Sequence, residues 1–319
     1  MLAIVDQQTR AFRDDVLACL SAPIPAIPAR WLYDRRGSEL FDAITRLPSY
    51  YPTRTETALL QAIIADVAAR LPRGAAVVEF GAGSAAKTPI LLQAIDPAAY
   101  VPVDISGQYL KDSARDLQRR LPALEVIPVV ADFTRPFSLP GGLDPLPRLG
   151  FFPGSTIGNF VPSSATDLLR HFRALLRVGS YLLIGMDRVK PVERLVAAYN
   201  DPEGVTAQFN LNLLHRINRE LDGDVPVDAF HHEARWNEIL SRIEMHLVAT
   251  RDVRFAVSGK RFRFSAGSSI HTENSHKYSE RGGRLLLLAG GWTPVGEWTD
   301  EAGDFAVMLA MAEPERFAP

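Results

Sequence analysis

The sequence predicts an α/β protein with a doubly wound parallel sheet that ends in a β-hairpin, together with a second domain of α+β type. Short apolar runs alternate with helical stretches between residues 75 and 184, which is typical of a parallel sheet flanked by helices. Two strand-like runs then close the chain. Since 319 residues exceed what one core usually covers, we expect a sheet domain at 56–188 and 278–319 and a second domain at 1–55 and 189–277.

The composition is that of an ordinary globular protein and excludes several classes of partner. Hydrophobic residues make up 47% and charged residues 23%, with a formal net charge of −2. This balance argues against a nucleic acid or an anionic membrane as partner. No apolar run approaches the roughly 20 residues of a membrane-spanning helix, and no signal peptide is visible, so we expect a cytoplasmic protein. The single cysteine, Cys19, excludes an internal disulfide and a cysteine metal cluster.

The first two strands of the predicted sheet are each followed by a helix. Residues 75–80 form a short buried run that ends in glycines, and residues 87–95 have a helical pattern. The second strand covers 100–104 and leads into a helix over 106–120. Ser106 is a residue type that favours the N-cap of that helix.

Three further strands complete the parallel part of the sheet. The third covers 124–130, the fourth 149–153 and the fifth 181–184. A helix over about 164–176 connects the last two strands. Strands that alternate with helices in this way imply a parallel, doubly wound sheet.

The C-terminal pattern separates two classes of nucleotide-binding fold. A helix ends at 285–289, and two strands over 293–299 and 305–312 follow around a turn at 300–304. Nicotinamide dehydrogenases usually finish their sheet with another parallel strand, whereas class I methyltransferases finish with an antiparallel hairpin. The pattern therefore favours a class I methyltransferase with a Rossmann-like sheet.

The second domain is predicted from two separate stretches of chain. Residues 1–55 read as helices broken by prolines, as in the segment 22–28. Beyond residue 189, two helices are followed by strand-like runs: helices at 192–200 and 206–221, and runs at 243–249, 253–257 and 261–264. This texture is that of an α+β module inserted before the last part of the sheet.

A glycine-rich turn after the first strand suggests a nucleotide cofactor. The run Glu79–Ser84 contains Gly81 and Gly83, and with Ala86 it fits the relaxed pattern G-x-G-x-x-A. The glycines allow a tight turn and a close approach of the backbone to a ligand. Such a pattern also occurs in turns that bind nothing, so it needs support from its neighbours.

Residues at the ends of the next strands supply that support. Asp104 can accept both ribose hydroxyls of a nucleoside, although an aspartate there can also cap a helix. Asp132 and Phe133 fit an adenine site, with a carboxylate for the exocyclic amine and a ring against the base. NAD and S-adenosylmethionine would both use these groups. Lys87 favours S-adenosylmethionine, whose methionyl carboxylate it can pair with, unless Lys87 is simply a surface lysine.

Several long strings are more specific than a glycine motif, and they lie at 33–41, 47–56, 154–159, 198–210, 242–245 and 271–275. They resemble the L-histidine Nα-methyltransferases of ergothioneine biosynthesis, and the resemblance extends from about residue 30 to the C-terminus. It implies a methyltransferase domain with a second, substrate-binding domain. It also implies trimethylation of the α-amino group of L-histidine to hercynine, with S-adenosylmethionine as methyl donor.

The resemblance further implies a set of site residues. The cofactor contacts of the family fall on Gly81, Lys87, Asp104, Asp132 and Phe133. The contacts to the substrate fall on Tyr33, Tyr50, Gly154, Asn159, Tyr199, Met245, Glu273 and Ser275. Among these, Tyr33 is placed close to the amine and is the candidate catalytic residue. The substrate carboxylate falls to Asn159 and Tyr199, and the imidazole ring to Glu273 and Ser275. Asn274 departs from the family, where an apolar residue is usual.

The chemistry is consistent with these residues. Methyl transfer to an amine is a direct displacement, so it needs no enzyme nucleophile. Glu273 would accept a hydrogen bond from an imidazole N–H, and a buried carboxylate without such a partner is costly. An N-methyltransferase for another aromatic amino acid, such as a tryptophan derivative, is the main competing hypothesis, although an indole pocket has no use for this carboxylate. The sequence also leaves open a nicotinamide dehydrogenase, which the terminal hairpin disfavours, and a non-catalytic partner protein.

The expected partners are therefore small molecules. They are L-histidine and its mono- and dimethylated forms, and we expect a monomer. No metal site is predicted, because His215, His231, His232 and His246 do not show metal-ligand spacing and adjacent histidines in a strand face opposite ways.

Overall fold

The computed structural model describes residues 2–83 and 87–314, which divide into two compact units. Unit 1 takes the chain up to Tyr50 and the segment Pro191–Asn274, and unit 2 takes Tyr51–Lys190 and the chain from Ser275 onward. The predicted division after residue 55 lies within a continuous helix, Tyr51–Arg70. No described helix is both long and apolar enough to span a membrane.

The described residues contain α-helices and β-strands in both units. The helices are α1 Leu2–Leu20, α2 Arg35–Ile44, α3 Tyr51–Arg70, α4 Thr88–Ile95, α5 Gly107–Arg120, α6 Pro162–Leu176, α7 Val192–Tyr199, α8 Val205–Glu220 and α9 Glu280–Ala289. The strands are β1 Ala76–Phe80, β2 Ala99–Asp104, β3 Glu125–Val126, β4 Val129–Val130, β5 Arg148–Phe152, β6 Tyr181–Asp187, β7 Phe230–Asn237, β8 Arg242–Ala249, β9 Val253–Val257, β10 Lys260–Phe264, β11 Ser269–His276, β12 Thr293–Thr299 and β13 Phe305–Met311.

Unit 2 is built on an eight-stranded sheet in the order β12-β13-β6-β5-β1-β2-β3, with β4 also pairing β2. The pairs among β1 to β6 are parallel, whereas β13 is antiparallel to both β6 and β12. The prediction of a doubly wound parallel sheet with a terminal hairpin is confirmed. It follows that the carboxyl ends of β1, β2, β4 and β5 meet at one edge, where ligands bind in open α/β sheets.

The third predicted strand, 124–130, is instead two short strands, β3 and β4. Pro128 lies between them and has no backbone N–H to donate to the neighbouring strand. The backbone N–H of Ile127 still donates to the carbonyl of Tyr100 at 2.9 Å. The interruption therefore comes from a single proline within an otherwise apolar run.

The two faces of the sheet have separate apolar cores, as the alternation of a strand requires. On β1, Val78 and Phe80 pack with Phe172 and Trp292 on one face. Val77 packs on the other face with residues such as Leu60. All five residues of β1 are buried, which explains why the sequence of this strand is apolar except for Glu79 and does not alternate between apolar and polar residues.

Unit 1 contains a three-stranded sheet in the order β11-β8-β7 and an antiparallel pair, β9 and β10. Strand β7 was missed in the sequence, because charged and polar residues fill much of the segment FHHEARWN. Helix α2 begins at the N-cap Asp34, whose carboxylate accepts from the backbone N–H of Gly37 at 2.7 Å and from Asn212 of α8 at 2.8 Å.

Gly37 is required by a close approach of the backbone. A Cβ atom at this position would lie 1.8 Å from the carbonyl oxygen of Leu32. At an ordinary helix position, alanine is more stabilising than glycine by about 1 kcal/mol. At position 37 the close approach predicts the opposite, a loss of stability on replacing glycine by alanine.

We expect Gly37→Ala to lower the free energy of unfolding by roughly 1–3 kcal/mol, the usual cost of overpacking. Chemical denaturation monitored by circular dichroism measures this change. Gly142→Ala is the matched control, because a Cβ atom there meets nothing within 4 Å. A Gly37→Ala protein as stable as this control would contradict the close approach.

Candidate functional site

The glycine turn after β1 adopts backbone angles that favour glycine. Gly81 has φ of 73° and Gly83 has φ of 47°, both in the left-handed region. The backbone N–H of Gly81 donates to the carbonyl of Val103 at 2.8 Å. A Cβ atom at Gly81 would lie 3.4 Å from the ring of Phe133, so the turn passes close to this aromatic residue. Ser84 and Ala86, which complete the sequence pattern, lie outside the described residues.

Asp104 connects this turn to the end of β2. Its carboxylate accepts from the backbone N–H of Gly83 at 3.2 Å and from that of Ser106 at 2.8 Å. Ser106 holds the predicted N-cap position of α5, but its own side chain makes no cap hydrogen bond. The carboxylate of Asp104 therefore accepts backbone hydrogen bonds both from the start of α5 and from the glycine turn. Asp104 is partly exposed, which leaves room for a ligand hydroxyl.

Asp132 and Phe133 follow β4 at the same edge of the sheet. One oxygen of Asp132 accepts from the backbone N–H of Thr134 at 3.0 Å and from its hydroxyl at 2.5 Å, which holds the turn. The Phe133 ring packs edge-on against Phe152 at 5.7 Å and against Phe80 at 6.4 Å. These contacts fix one side of a partly buried aromatic ring.

Lys87 stands at the N-cap of α4 and forms an ion pair with Glu56 of α3. Glu56 is 1% exposed, and its two oxygens accept from the backbone N–H of Gly154 at 2.8 and 3.0 Å. Sequence reasoning missed Glu56. Glu56 lies three, four and seven residues before the buried Leu59, Leu60 and Ile63, which places it on the apolar face of α3. A glutamate on the apolar face of a helix is the sequence feature that could have identified it.

Glu79 is a second carboxylate to which sequence reasoning assigned no role. It lies within β1 and is 2% exposed. Its Oε2 accepts from the hydroxyl of Tyr100 at 2.6 Å and from that of Thr88 at 2.7 Å. Burial raises the pKa of Glu79 to about 7, although the hydroxyl groups of Tyr100 and Thr88 act in the opposite direction.

In unit 1, tyrosine side chains and a carboxylate lie together. The hydroxyl of Tyr33 donates to Oε1 of Glu273 at 3.4 Å, and the rings of Tyr50 and Tyr199 meet edge-on at 5.9 Å. Burial, followed by the negative charge of Glu273, raises the pKa of Tyr33 well above its ordinary value. Tyr33 therefore remains a neutral hydroxyl, which can both donate and accept a hydrogen bond.

Strand β11 carries Glu273 and lies beside β8, which carries Met245. Both side chains are buried, with exposed fractions of 9% and 1%. The hydroxyl of Thr272 donates to the carbonyl of Met245 at 3.1 Å and ties the two strands together. The tyrosine at the end of α7 is held separately, because Nε2 of His232 donates to the carbonyl of Tyr199 at 2.7 Å.

Two histidines of unit 1 lie beside a carboxylate. The rings of His246 and His271 stack at 4.8 Å, and Nε2 of His246 is 3.2 Å from Glu244. Burial lowers the pKa of both histidines. Glu244 also pairs with Arg242 at 2.6 Å. Glu244, His246 and His271 each offer one nitrogen or oxygen atom, and these three atoms lie within 4.8 Å of one another. The guanidinium of Arg242 already neutralises the carboxylate of Glu244.

Ser275, Gly154 and Asn159 belong to unit 2. Ser275 is 5% exposed, and its Oγ accepts from Nζ of Lys277 at 2.8 Å. Gly154 follows β5 with φ of 80°, and Asn159 ends a short 3-10 helix over Thr156–Asn159. The structure thus brings Asp104 into direct contact with Gly83, and Tyr33 with Glu273.

The raised pKa of Glu79 predicts a specific dependence of stability on pH. In the unfolded chain this carboxyl titrates near its ordinary value of 4.5, and in the folded protein near 7. The folded state therefore binds the proton more tightly, and the stability present below pH 4.5 is lost as the pH rises towards 7.

Glu79→Gln lacks this titration. We expect its free energy of unfolding to increase relative to that of the parent by roughly 2–3 kcal/mol as the pH rises from 5 to 8. Urea unfolding at both pH values measures the difference. Glu233→Gln, on the partly exposed surface of β7, is the control and should show no such change. A constant difference for Glu79→Gln across this range would refute the buried titration.

The sequence is similar to those of several known proteins. A protein-family model described as histidine-specific, S-adenosylmethionine-dependent methyltransferase matches residues 12–312. The histidine N-alpha-methyltransferase of Mycobacterium tuberculosis is 43% identical over 307 residues, covering 94% of this chain and 94% of that protein. The enzyme of the same name from Mycolicibacterium smegmatis is 39% identical and covers 96% of each chain.

A fungal relative shares only part of its length with this chain. The ergothioneine biosynthesis protein 1 of Neurospora crassa is 30% identical over 285 residues, covering 86% of this chain and 32% of that protein. The sheet order, the terminal antiparallel hairpin and the family match agree with one another. The chain belongs to the histidine-specific, S-adenosylmethionine-dependent methyltransferase family.

Proposed function

We propose that this protein transfers methyl groups from S-adenosylmethionine to the α-amino nitrogen of L-histidine and continues to the trimethylated product, hercynine, in ergothioneine biosynthesis. The observation that carries the proposal is the buried carboxylate of Glu273 beside the neutral hydroxyl of Tyr33, in a member of this family. A carboxylate in this position suits a ligand that brings its own N–H donor.

We assign the cofactor to the edge of the sheet in unit 2. The left-handed turn at Gly81 and Gly83 permits close approach of a ligand, and the partly exposed carboxylate of Asp104 suits ribose hydroxyls. Asp132 and Phe133 would take the adenine, by its amine and its face. This donor set fits S-adenosylmethionine, which when bound supplies an electrophilic methyl group on a sulfonium sulfur.

Lys87 is the proposed partner of the methionyl carboxylate. An ammonium has three N–H donors, so Lys87 can keep its ion pair with Glu56 and still donate to a second carboxylate. Glu56 would then hold Lys87 in place, because its own oxygens are fixed by the backbone of Gly154.

For the amino acid, we propose that Glu273 accepts from one imidazole nitrogen and that Ser275 bonds the other. Met245 would form a wall of the ring pocket, consistent with its burial. Asn159 and Tyr199 would anchor the carboxylate, with Tyr50 and Gly154 as further neighbours of the substrate. Such an anchor at both ends leaves the nitrogen free to turn, as three successive transfers require.

Tyr33 has the proposed role of orienting the amine. Its raised pKa keeps the proton on the oxygen, so Tyr33 is a poor base and a good hydrogen-bond partner. The Tyr33 hydroxyl donates to Glu273, and a phenolic oxygen can in addition accept a hydrogen bond from an amine N–H. Holding the amine in line with the methyl group can contribute roughly 7–11 kcal/mol at best, while water carries the released proton away.

A tryptophan derivative is the alternative substrate, and Glu273 argues against it. An indole beside a buried carboxylate pairs at most its single N–H and leaves no acceptor for Ser275. Each group left unpaired costs roughly 1–3 kcal/mol. Histidine satisfies both side chains.

We also propose that mono- and dimethylhistidine are substrates and that the protein acts as a monomer in the cytoplasm. Size-exclusion chromatography with light scattering measures the mass against the 35.2 kDa of a single chain.

The direct test is mass spectrometry of the protein incubated with S-adenosylmethionine and an equimolar mixture of the standard amino acids. We expect a gain of three methyl groups on histidine alone. Methylation of tryptophan or another amino acid would overturn the proposed substrate while leaving the cofactor assignment in place.

We expect Glu273→Ala to raise the KM for histidine roughly 10–100-fold, since a hydrogen bond to a charged group contributes about 1.5–3 kcal/mol. The Kd for S-adenosylhomocysteine, measured by calorimetry, should stay unchanged. Glu233→Ala is the control, because its carboxylate pairs with Arg235 within β7. Equal losses of histidine and cofactor binding would instead assign Glu273 a structural role.

A further inference from the structure

Strands β8 and β11 of unit 1 carry three side chains of the types that bind transition metals. Glu244 and His246 lie two residues apart on β8, and His271 lies on the neighbouring strand β11. Residues two apart on a strand point to the same face of a sheet. The rings of His246 and His271 stack at 4.8 Å with 17° between their planes. Two imidazoles and a carboxylate therefore lie together within a single unit.

The two oxygens of Glu244 have different surroundings. Arg242 contacts Oε1 through Nε at 2.8 Å and through Nη2 at 2.6 Å, and Nδ2 of Asn237 donates to the same oxygen at 2.9 Å. Oε2 instead faces Nε2 of His246 at 3.2 Å. The guanidinium and the amide thus hold the carboxylate by one oxygen, and the other oxygen is directed at a histidine.

Each imidazole has a ring nitrogen that an outer hydrogen bond holds. Nδ1 of His246 is 3.2 Å from the hydroxyl of Ser269, and Nε2 of His271 is 3.0 Å from the backbone carbonyl of Glu273. Since a carbonyl only accepts, Nε2 of His271 carries the proton and Nδ1 has the lone pair. A serine hydroxyl can accept from Nδ1 of His246, which gives the lone pair to Nε2. Metal-binding histidines are oriented by outer hydrogen bonds of this kind.

We propose that Glu244, His246 and His271 bind a divalent transition-metal cation of the Zn²⁺ class through Oε2, Nε2 and Nδ1 respectively. Neutral imidazole and carboxylate are donors that suit Zn²⁺, and three protein ligands leave one tetrahedral position for water. The spacing of the histidines in the sequence did not predict this site, because His271 belongs to a separate strand. The site lies within unit 1, and the inference is independent of the proposed methyl transfer.

The distances suit such a site after a small movement. Zn²⁺ bonds of roughly 2.0–2.2 Å in a tetrahedron place neighbouring ligand atoms roughly 3.3–3.6 Å apart. Nε2 of His246 and Oε2 of Glu244 are already 3.2 Å apart. Each of the three side chains has a ligand atom within 4.8 Å of the other two. A rotation of the partly exposed His271 ring closes the remaining gap.

Arg242 lowers the affinity of this site without blocking it. Its guanidinium is a positive charge close to the cation, and like charges repel. Both of its contacts are to Oε1, so they do not occupy the ligand oxygen. A cation bound here joins β8 to β11, the strands that carry Met245 and Glu273. Binding therefore stabilises the folded form of unit 1.

Calorimetric titration with ZnCl₂ tests the site. The protein is purified without a histidine tag and measured without free histidine, which itself binds zinc. We expect saturable, single-site binding to the parent. His246→Gln and His271→Gln should each weaken it at least about 10-fold, because loss of even an outer partner of a metal ligand typically costs 10–100-fold. His231→Gln is the matched control, since His231 is an exposed histidine on β7 of the same sheet, and it should bind as the parent does.

Two further measurements identify the ligands. With CoCl₂, the parent should show the intense visible absorption of four-coordinate Co²⁺, whereas Glu244→Gln and His271→Gln should show only the weak absorption of the hydrated ion. Zn²⁺ should also raise the Tm of the parent and of His231→Gln, and leave the Tm of His271→Gln unchanged.

Three outcomes would overturn the site. The first is the absence of saturable Zn²⁺ binding to the parent. The second is equal weakening by His231→Gln, which would mean that the ion binds surface histidines without distinction. The third is a His271→Gln protein with the affinity and the Co²⁺ spectrum of the parent. Should the buried His246→Gln variant not fold, His271→Gln decides the question alone, because its position is partly exposed.

Discussion

The buried carboxylate of Glu56 is the interaction on which the cofactor edge of unit 2 depends. It joins α3 to the start of α4 through Lys87 and to the turn after β5 through the backbone of Gly154. Strand β6 leaves room for it, because a Cβ atom at Gly185 would lie 2.1 Å from Oε1 of Glu56. Removing one partner would leave a buried charge without compensation, which typically costs several kcal/mol. The glutamate therefore constrains helix, turn and strand together.

Buried charged groups occur in both units. Each of them has partners that set the direction of its hydrogen bonds. Asp187 has two lysines and a tyrosine hydroxyl, and Glu79 has two hydroxyl donors. Glu273 has Tyr33. Hydrogen-bond direction is set by the chemistry of the partner: an ammonium can only donate and a carboxylate can only accept. The proposed recognition of histidine uses this property, because a neutral imidazole presents one group of each kind.

The sequence predicted most of the sheet and the positions of its polar ends. Apolar runs such as 149–153 are distinctive, and Asp104 follows directly from its place after a strand. The polar strands β7 and β11 were harder to predict from the sequence. Their half-polar composition matches neither the strict alternation of a half-buried strand nor the period of a helix clearly. The partners of Lys87 and Ser275 could not be predicted, since Glu56 lies 31 residues from Lys87 and periodicity says nothing about which groups meet. Pro128 was visible in the sequence, and its effect on the third strand was overlooked.

The division of unit 1 into two stretches of chain affects the order in which it can form during synthesis. Asp34 caps α2, and its carboxylate is bonded by Asn212 and paired with Arg219 of α8, 178 and 185 residues further along. On a ribosome, the first segment leaves the exit tunnel long before these partners exist. Its apolar side chains, such as Phe12, which is fully buried in the folded protein, stay exposed to water while unit 2 is being made. Exposed apolar side chains promote aggregation of a nascent chain, so this segment has to be kept soluble until α8 has been made.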